Sequence, residues 1–184
     1  MKKMIFVISI VLLLAIGALH LHRFGHVHAQ SSDALLHKGS SFDIVVKAPY
    51  SQVAPLFGAE GERAWGGADW DPHFVFPSPG RDVPGAIFTV QHGGHESLWV
   101  TPIFDLAGRH IQHLIIIPDA MVTQLDITFP DSTGDSTRVH VSYQRTALAT
   151  PFNEHVERLS AHDPSEAEEW RRALDAYFAT KTKR

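Results

Sequence analysis

The amino-acid sequence predicts an α+β fold in which an antiparallel meander sheet of about six or seven strands wraps around a long C-terminal helix. Several short runs with strand-like alternation follow one another, separated only by turns containing Gly, Pro or Asp. Such short connections leave no room for crossover helices, so neighbouring strands must be antiparallel. The chain then closes in one long amphipathic run. Two short helices are expected after the first strand.

The first 29 residues have the layout of a secretory signal peptide. Lys2 and Lys3 precede an uncharged apolar run over residues 5–19, and Val27-His28-Ala29 suits cleavage after Ala29. As a helix this run reaches only about 22 Å, whereas the hydrocarbon core of a bilayer is roughly 30 Å thick. We therefore expect an exported protein, periplasmic or secreted, with an uncleaved inner-membrane anchor as the alternative.

The remaining chain is expected to form a linker and one domain. Residues 30–40 are small and polar without periodicity, which predicts a flexible linker, and residues 41–181 form the predicted ligand-binding domain. After cleavage 13 basic residues face 20 acidic ones, giving a formal charge of −7. This charge disfavours nucleic acid as a partner, because phosphate binding needs clustered Lys and Arg. Contact with a membrane is expected only through the N-terminal segment.

The sequence offers no sign of a cofactor or a metal site. It contains no cysteine, which excludes disulfides and thiolate ligands. A glycine-rich phosphate loop and a nucleophile elbow are also missing from it. His92 and His95, like His110 and His113, lie three positions apart, and in a strand this spacing sends the two side chains to opposite faces.

The domain begins with a strand and two short helices. The run "SFDIVVKAP" alternates apolar residues with Asp43 and Lys47, as a half-buried strand does. Ser51 is expected to cap a short helix. Glycines within residues 58–61 break that helix before a second short turn over residues 62–65.

Five further strand-like runs share one large apolar face. They read "AIFTVQHG", "ESLWVTPIFDL", "HIQHLIII", "MVTQLDITF" and "TRVHVSYQRT". Because side chains alternate across a strand, the opposite face should be polar and meet water. The residues expected on the apolar face are Phe88, Val90 and His92; Trp99, Thr101 and Ile103; Ile111, His113, Ile115 and Ile117; Leu125, Ile127 and Phe129; and Val139, Val141 and Tyr143.

The C-terminal helix is expected from Pro164 to about Thr180. Asp163 is a plausible cap, Pro164 suits the first helical position, and Glu166 completes a capping-box-like spacing. An apolar stripe built by Trp170, Ala173, Leu174, Tyr177 and Phe178 must face the sheet. Residues 151–162 are also helical in pattern, and Pro164 decides whether they form a separate helix or the start of a kinked one.

Several of these segments are similar to the helix-grip proteins of the START/Bet v 1-like superfamily, and in particular to bacterial SRPBCC-type proteins. "GERAWGGADWDP" resembles their Glu-Arg-x-Trp and Gly-x-x-Trp-x-Pro pattern, "GAIFTV" and "SLWVTPIFD" resemble two of their strands, and "VSYQRTAL" resembles their last strand. The resemblance covers about residues 42–178. It implies a curved sheet that grips the helix around an apolar cavity holding a lipid, a polyketide or an aromatic molecule. Some members are cyclases or aromatases and others are carriers.

The predicted ligand site lies between the apolar face and the C-terminal helix. Trp65 and Trp70 are expected to form a lid or, alternatively, to plug one end of the sheet as core. Glu62 and Arg63 are expected to tie the short helices to the sheet or to contact ligand. The polar groups of the face need a ligand, a trapped water or one another as partners. The predicted ligand-contacting residues are Trp65, Trp70, Phe88, His92, Trp99, Thr101, His113, Tyr143, Trp170, Leu174 and Tyr177.

Three functions fit this reading. The leading prediction is binding of a hydrophobic or amphipathic small molecule without chemistry. The first alternative is a cyclase- or aromatase-type enzyme with His92 or His113 as general acid/base, because imidazole titrates closest to neutral pH. The second is a partner-interaction module whose cavity is filled by its own side chains. A cavity of about 300–1,000 Å³ favours the first two functions over the third.

Overall fold

The computed structural model describes residues 34–92 and 95–181, without the side chains of His92 and His95. The predicted signal peptide and residues 30–33 of the predicted linker lie outside the described residues. Within the described chain no helix is both long enough and apolar enough to cross a membrane.

A single antiparallel sheet of seven strands forms the body of the fold, which confirms the predicted class. Its order is β1-β7-β6-β5-β4-β3-β2, so every strand from β2 to β6 pairs with the next along the chain, and β1 pairs with β7. The strands are β1 His37–Val46, β2 His73–Phe76, β3 Ala86–His92, β4 His95–Asp105, β5 His110–Ile117, β6 Met121–Thr128 and β7 Thr137–Ala147.

Short helical turns follow β1, as predicted. Helix α1 spans Tyr50–Val53, a 3-10 turn spans Ala54–Phe57, and α2 spans Ala59–Glu62. Pro49 rather than the predicted Ser51 occupies the position before α1. Gly61 allows α2 to fold back on the 3-10 turn, because a Cβ there would lie 1.9 Å from the carbonyl oxygen of Pro55.

The predicted flexible linker over residues 30–40 is wrong for its last four residues. β1 begins at His37, and residues 37–40 pair in register with residues 143–146 of β7. Local alternation misses them because "HKGS" carries no apolar residue. The backbone of residues 37–40 is held by pairing with β7 and not by buried apolar side chains.

The C-terminal helix is one continuous element, α3, spanning Asn153–Lys181 with Pro164 inside it. Asp163 is therefore not a helix cap, as the sequence suggested. Its side chain is almost fully buried and forms a two-pronged ion pair with Arg145 of β7, and Ser40 donates to the same carboxylate. These interactions fix the residue before the proline in a helical conformation that proline itself disfavours.

The core lies between the inner face of the sheet, α3 and the short helical turns. Phe42, Ile44 and Val46 of β1 pack with Val139 and Val141 of β7, and Leu174 of α3 joins them fully buried. A smaller cluster of Met121, Ala147 and Val156 lies near the start of α3. α3 thus runs along β1 and β7 and covers one side of the inner face.

Candidate functional site

One group of predicted site residues forms a packed ring cluster on β3, β4 and β5. The Trp70 and Trp99 rings meet edge to face at 5.3 Å, and Phe88 stacks on Trp99 at 5.6 Å. The imidazole of His113 lies 5.7 Å from Trp99. All four side chains are buried. The structure therefore brings these four residues together as core against one part of the sheet, which for Trp70 is the alternative to a lid.

The polar atoms of this ring cluster are satisfied by the protein. Trp70 Nε1 donates to the Ala59 carbonyl at 2.9 Å, and Trp99 Nε1 donates to Ser97 Oγ at 2.8 Å. His113 Nε2 lies 3.3 Å from the Phe57 carbonyl, and its Nδ1 lies 3.0 Å from Thr101 Oγ1. Since a carbonyl only accepts, Nε2 carries the proton and Nδ1 accepts from Thr101.

His113 is held neutral by its surroundings. Burial lowers its pKa from 6.5 to about 4, because the charged imidazolium would lose its hydration. Both ring nitrogens are engaged, so neither is available to a substrate in this arrangement. His92, the other acid/base candidate, ends β3, and its side chain is outside the described residues.

A second ring cluster joins the short helical turns to α3. Trp65 follows α2, and its ring lies 5.3 Å from Trp170 of α3. Phe57 contacts both indoles, at 5.7 and 6.1 Å, and Phe42 meets Trp170 edge to face at 5.4 Å. Trp65 and Trp170 are only half-buried, unlike Phe57. This pair is therefore where the predicted site reaches the surface.

The remaining predicted contacts fall on α3 and β7. Leu174 is fully buried in the main core, whereas Tyr177 is half-buried and packs on Phe178 at 5.1 Å. Lys181 lies over the Tyr177 ring at 4.8 Å. Tyr143 is buried on the inner face, beside Phe42 and under the guanidinium of Arg145.

The open chamber expected between sheet and helix is not formed by the described residues. Rings of Phe42, Phe57, Trp65, Phe129 and Trp170 occupy that space in mutual contact. The described residues do line a cavity of about 110 Å³, but it lies against Val45, whose side chain is on the solvent side of β1. The other residues that line it are Asp131, Ser132, Thr133, Ser136 and Arg138. A ligand between sheet and helix would thus have to displace rings.

Two carboxyl groups lie beside the second ring cluster. Glu62, at the end of α2, has a pKa raised to about 8 by burial and by the charges of Asp82 and Glu166. Burial and the nearby Asp163 also raise the pKa of Glu166. Tyr143 Oη lies 3.5 Å from Glu166 Oε2, and burial together with Glu166 raises the pKa of that phenol well above its usual value. Neither glutamate forms an ion pair within the described chain.

Arg145 lies close enough to lower the pKa of Glu166, and it forms an ion pair with Asp163. Its Nη2 donates to Asp163 Oδ1 at 2.9 Å, and Nη1 donates to the other carboxylate oxygen. Because both forks of the guanidinium are committed, Arg145 only partly offsets the charge of Glu166. One turn before Asp163, Ser160 Oγ is buried without a hydrogen-bond partner in the described chain.

Sequence reasoning missed Arg145 and the role of Glu166. Arg145 continues the buried series Val139, Val141 and Tyr143 at alternate positions of β7, and this register was the available signal. Glu166 was assigned to a capping box that does not exist. Arg63, expected to pair with the sheet or a ligand, instead binds Glu60 and Asp71 next to it in the chain.

The described residues contain no group of three or more His, Asp or Glu side chains placed to hold a metal ion.

The architecture is similar to that of several solved structures. Norcoclaurine synthase from Thalictrum flavum matches with a TM-score of 0.59 and 14% identity, over 90% of this chain and 99% of the enzyme. The allergen Ara h 8.0201 matches with a TM-score of 0.56 and 13% identity, over 78% of this chain and 99% of the allergen. A hypothetical protein from Helicobacter pylori matches with a TM-score of 0.55 and 14% identity, over 89% of this chain and 99% of its own.

No protein-family model and no curated protein sequence matches the chain. The structural likeness nevertheless shows that this chain has the Bet v 1-like helix-grip fold, as its motifs suggested. One structure of the Thalictrum flavum enzyme is a complex with dopamine and hydroxybenzaldehyde. At these identities the likeness shows the fold, and function must be argued from the site itself.

Proposed function

Given the Bet v 1-like helix-grip fold, we propose that this chain binds a small amphipathic molecule between Trp65 and Trp170, with its polar head on Glu62 and Glu166. The observation that carries the proposal is a pair of carboxyl groups with raised pKa values, neither of them in an ion pair within the described chain, in the same segments as two half-buried indoles. A core that served packing alone would gain stability from apolar side chains at those two positions, because half-buried carboxyls without an ion pair cost free energy.

The two sides of the site have matching geometry. Glu62 precedes Trp65 by three residues, and Glu166 precedes Trp170 by four, so each carboxyl lies about one helical turn from its indole. The first pair belongs to α2 and the turn after it, and the second belongs to α3. A ligand with an apolar ring joined to a polar head by a short linker would suit this spacing.

The charges favour a head group that donates hydrogen bonds. Glu62 keeps its proton at neutral pH because no cation compensates for its burial. A primary amine would supply that missing charge and would form charge-assisted hydrogen bonds to both carboxylates. A hydroxyl group could bond to the same oxygens more weakly. A carboxylate head would be repelled.

Binding requires the indoles to separate. Trp65 Nε1 donates to the Leu56 carbonyl at 2.7 Å, which holds that ring in place. Trp170 Nε1 donates to no described residue, and its ring meets the segment after β1 through aromatic contacts with Phe57 and Trp65. Such ring pairs contribute about 0.5–1.5 kcal/mol beyond their buried area. An aromatic ligand would replace these contacts, so moving Trp170 would cost little free energy.

Calorimetric titration with three probes tests the proposal. 2-Phenylethylamine, 2-phenylethanol and phenylacetate share one ring and differ in the head group. We expect affinity to fall in that order, and amine affinity to rise from pH 6 to 8 because binding displaces the proton of Glu62. The variant Glu62→Gln/Glu166→Gln should lose both the preference for the amine and the rise of amine affinity with pH. The variant Glu157→Gln, on the exposed face of α3, should keep both.

Two results would overturn this assignment. If phenylacetate bound as tightly as the amine, the carboxyls would not be the anchor. If none of the probes bound at any pH, the packed ring cluster would favour the partner-interaction module with a filled interior instead.

The elevated pKa of Glu62 also favours an enzyme in which this carboxyl, rather than a histidine, is the general acid/base. A bound carbonyl compound would then exchange protons at its α-carbon. NMR of phenylacetone in D₂O should show deuterium incorporation with the parent chain and none with Glu62→Gln. Equal, uncatalysed exchange with both would leave binding as the function.

We propose further that the protein is exported, on the strength of the leader-like composition of residues 1–29. N-terminal sequencing of the protein from its source should give Gln30 as the first residue. Retention of Met1 would indicate an uncleaved segment.

A further inference from the structure

Asp82, in the segment between β2 and β3, ties that segment to α2. Its two carboxylate oxygens accept hydrogen bonds from the backbone N–H groups of Glu60, at 3.0 Å, and Gly61, at 3.1 Å. The side chain is half-buried, and no cation of the described chain forms an ion pair with it. Burial raises the pKa of Asp82, whereas the two N–H groups favour its charged form. The negative charge of Asp82 is therefore held against α2 by hydrogen bonds to the backbone.

A glycine makes this close approach possible. Gly58 is the residue before α2, and a Cβ there would lie 2.3 Å from the carboxyl carbon of Asp82. Any larger residue at position 58 would push the carboxylate away from α2. The sequence thus leaves space at the one position where the Asp82 side chain must enter.

The element that Asp82 holds is also the element that carries the ligand site. Glu62 is the last residue of α2, and the backbone N–H of Trp65 donates to the Glu62 carbonyl at 3.0 Å. Trp70 Nε1 donates to the carbonyl of Ala59, the first residue of α2. A shift of α2 would therefore move Glu62 and both indoles that follow it in the chain.

The groups that face Glu62 leave negative charge uncompensated. Burial, then Asp82, then Glu166 of α3 raise the pKa of Glu62. The phenol of Tyr143 on β7 also interacts with the charge of Glu62. Arg63, the cation next to Glu62 in the chain, forms its ion pairs with other carboxylates.

We propose that Asp82 is a positioning residue that makes the ligand site selective for a cationic head group. This inference rests on the ligand site proposed above, between Trp65 and Trp170. The hydrogen bonds of Asp82 fix α2 and with it Glu62. The charge of Asp82 adds to the negative potential that an ammonium group meets there, whereas an uncharged head gains nothing from that potential.

Two variants separate the charge of Asp82 from its position. Asp82→Asn has the same shape and keeps an oxygen that can accept from α2, but it carries no charge. Gly58→Ala keeps the charge and displaces it. Asp69→Asn, at an exposed position, is the matched control. After circular dichroism has verified each fold, 2-phenylethylamine and 2-phenylethanol are titrated by calorimetry, and the Glu62 carboxyl of the ligand-free protein is titrated by ¹³C NMR.

The affinity ratio is compared at pH 9, where Glu62 is mostly ionised and an alkylamine keeps most of its charge. We expect the ratio of amine to alcohol affinity to fall about tenfold in Asp82→Asn, because one nearby charge is lost. The affinity for the alcohol and all values for Asp69→Asn should match the parent.

The pH profile supplies a readout that a merely structural role would not move. The pKa of Glu62 should fall in Asp82→Asn, because a like charge no longer opposes its ionisation. The rise of amine affinity should then shift to lower pH. Gly58→Ala should change the ratio and the pKa in the same direction and by less.

Equal losses of amine and alcohol affinity in Asp82→Asn would reduce Asp82 to a structural tie and overturn the inference. An unchanged pKa of Glu62 in that variant would overturn it as well. If neither probe bound the parent, the proposed ligand site would fail and the selectivity with it. A lowered pKa of Glu62 in ligand-free Asp82→Asn would still show that Asp82 acts on Glu62, so the two failures are distinguishable.

Discussion

Glu62 illustrates how one buried carboxyl couples function to stability. Its pKa in the folded protein, about 8, lies above its ordinary value of 4.5, so the fold prefers the protonated form. The stability associated with that preference is complete below about pH 4.5 and is lost as the pH rises through about 8. An amine bound at Glu62 would offset the stability that is lost when this carboxyl ionises.

Between pH 5 and pH 8 the free energy of unfolding should fall for both proteins. We expect the fall for Glu62→Gln to be smaller than that for the parent by on the order of 2 kcal/mol. Glutamine keeps the shape of the protonated acid and cannot ionise. Urea unfolding at several pH values measures the difference, with Glu157→Gln as the matched control. Parallel pH profiles for Glu62→Gln and the parent would mean that this carboxyl is not held protonated.

Asp163 has a structural role that contrasts with the unpaired glutamates. Its carboxylate and the Arg145 guanidinium are almost fully buried against each other. Removing one member of such a pair leaves an uncompensated buried charge, whereas replacing both with apolar side chains is often neutral.

Asp163→Ala should lower the free energy of unfolding by about 3–5 kcal/mol, and Arg145→Met/Asp163→Leu should recover most of this loss. Glu157→Ala, which breaks the exposed pair with Lys38, should cost about 0–1 kcal/mol. Chemical denaturation gives all three values. A loss for Asp163→Ala no larger than that for Glu157→Ala would refute the buried pair.

At the residue scale the sequence identified the interior side chains but not their partners. The period of the strands placed Trp99 and His113 on one face, and Trp70 was expected either as a lid or as core that plugs one end of the sheet. Their hydrogen-bond partners include carbonyls of Ala59 and Phe57, which local patterns cannot reveal because the fold brings them together from distant positions. The sequence therefore could not separate a ligand contact from a satisfied core residue.

At the scale of elements, α3 departs most from local rules. A proline inside a helix removes one backbone hydrogen bond and usually marks a break. Here Arg145, Ser40 and Asp163 hold the preceding residue, and the helix continues through Pro164. Propensity predicts the helical segments on both sides, but tertiary contacts decide that they are one element.

Pro164→Ala should stabilise the protein by about 1–3 kcal/mol, because it restores the N–H that can bond to the Ser160 carbonyl. Thermal and urea unfolding provide the measurement, and Ser165→Ala at the exposed neighbouring position provides the control. Unchanged or lower stability of Pro164→Ala would show that α3 needs its proline.

Strand prediction succeeded where side chains alternate and failed where they do not. β3 to β7 were evident because apolar residues recur at every second position. The first four residues of β1 and the short edge strand β2 have no such pattern, since their order comes from pairing with β7 and β3.

At the scale of the whole molecule, the order of elements was sufficient to predict the helix-grip fold. The volume of its interior was not predictable, because small changes in ring packing decide between a chamber and a filled core. In the described chain the rings of Phe42, Phe57, Trp65 and Trp170 meet where a chamber was expected, between β1, the segment that follows it and α3. A ligand site between sheet and helix therefore requires that the contact between Trp65 and Trp170 can open.

The four tryptophans make a direct test of that contact possible. In a titration with 2-phenylethylamine followed by NMR of the indole N–H signals, Trp65 and Trp170 should shift together in a saturable manner. Trp70 and Trp99, whose N–H groups are bonded within the core, should stay unchanged. Shifts confined to Trp70 and Trp99, or no saturable shift at any indole, would contradict a ligand site between the sheet and the C-terminal helix.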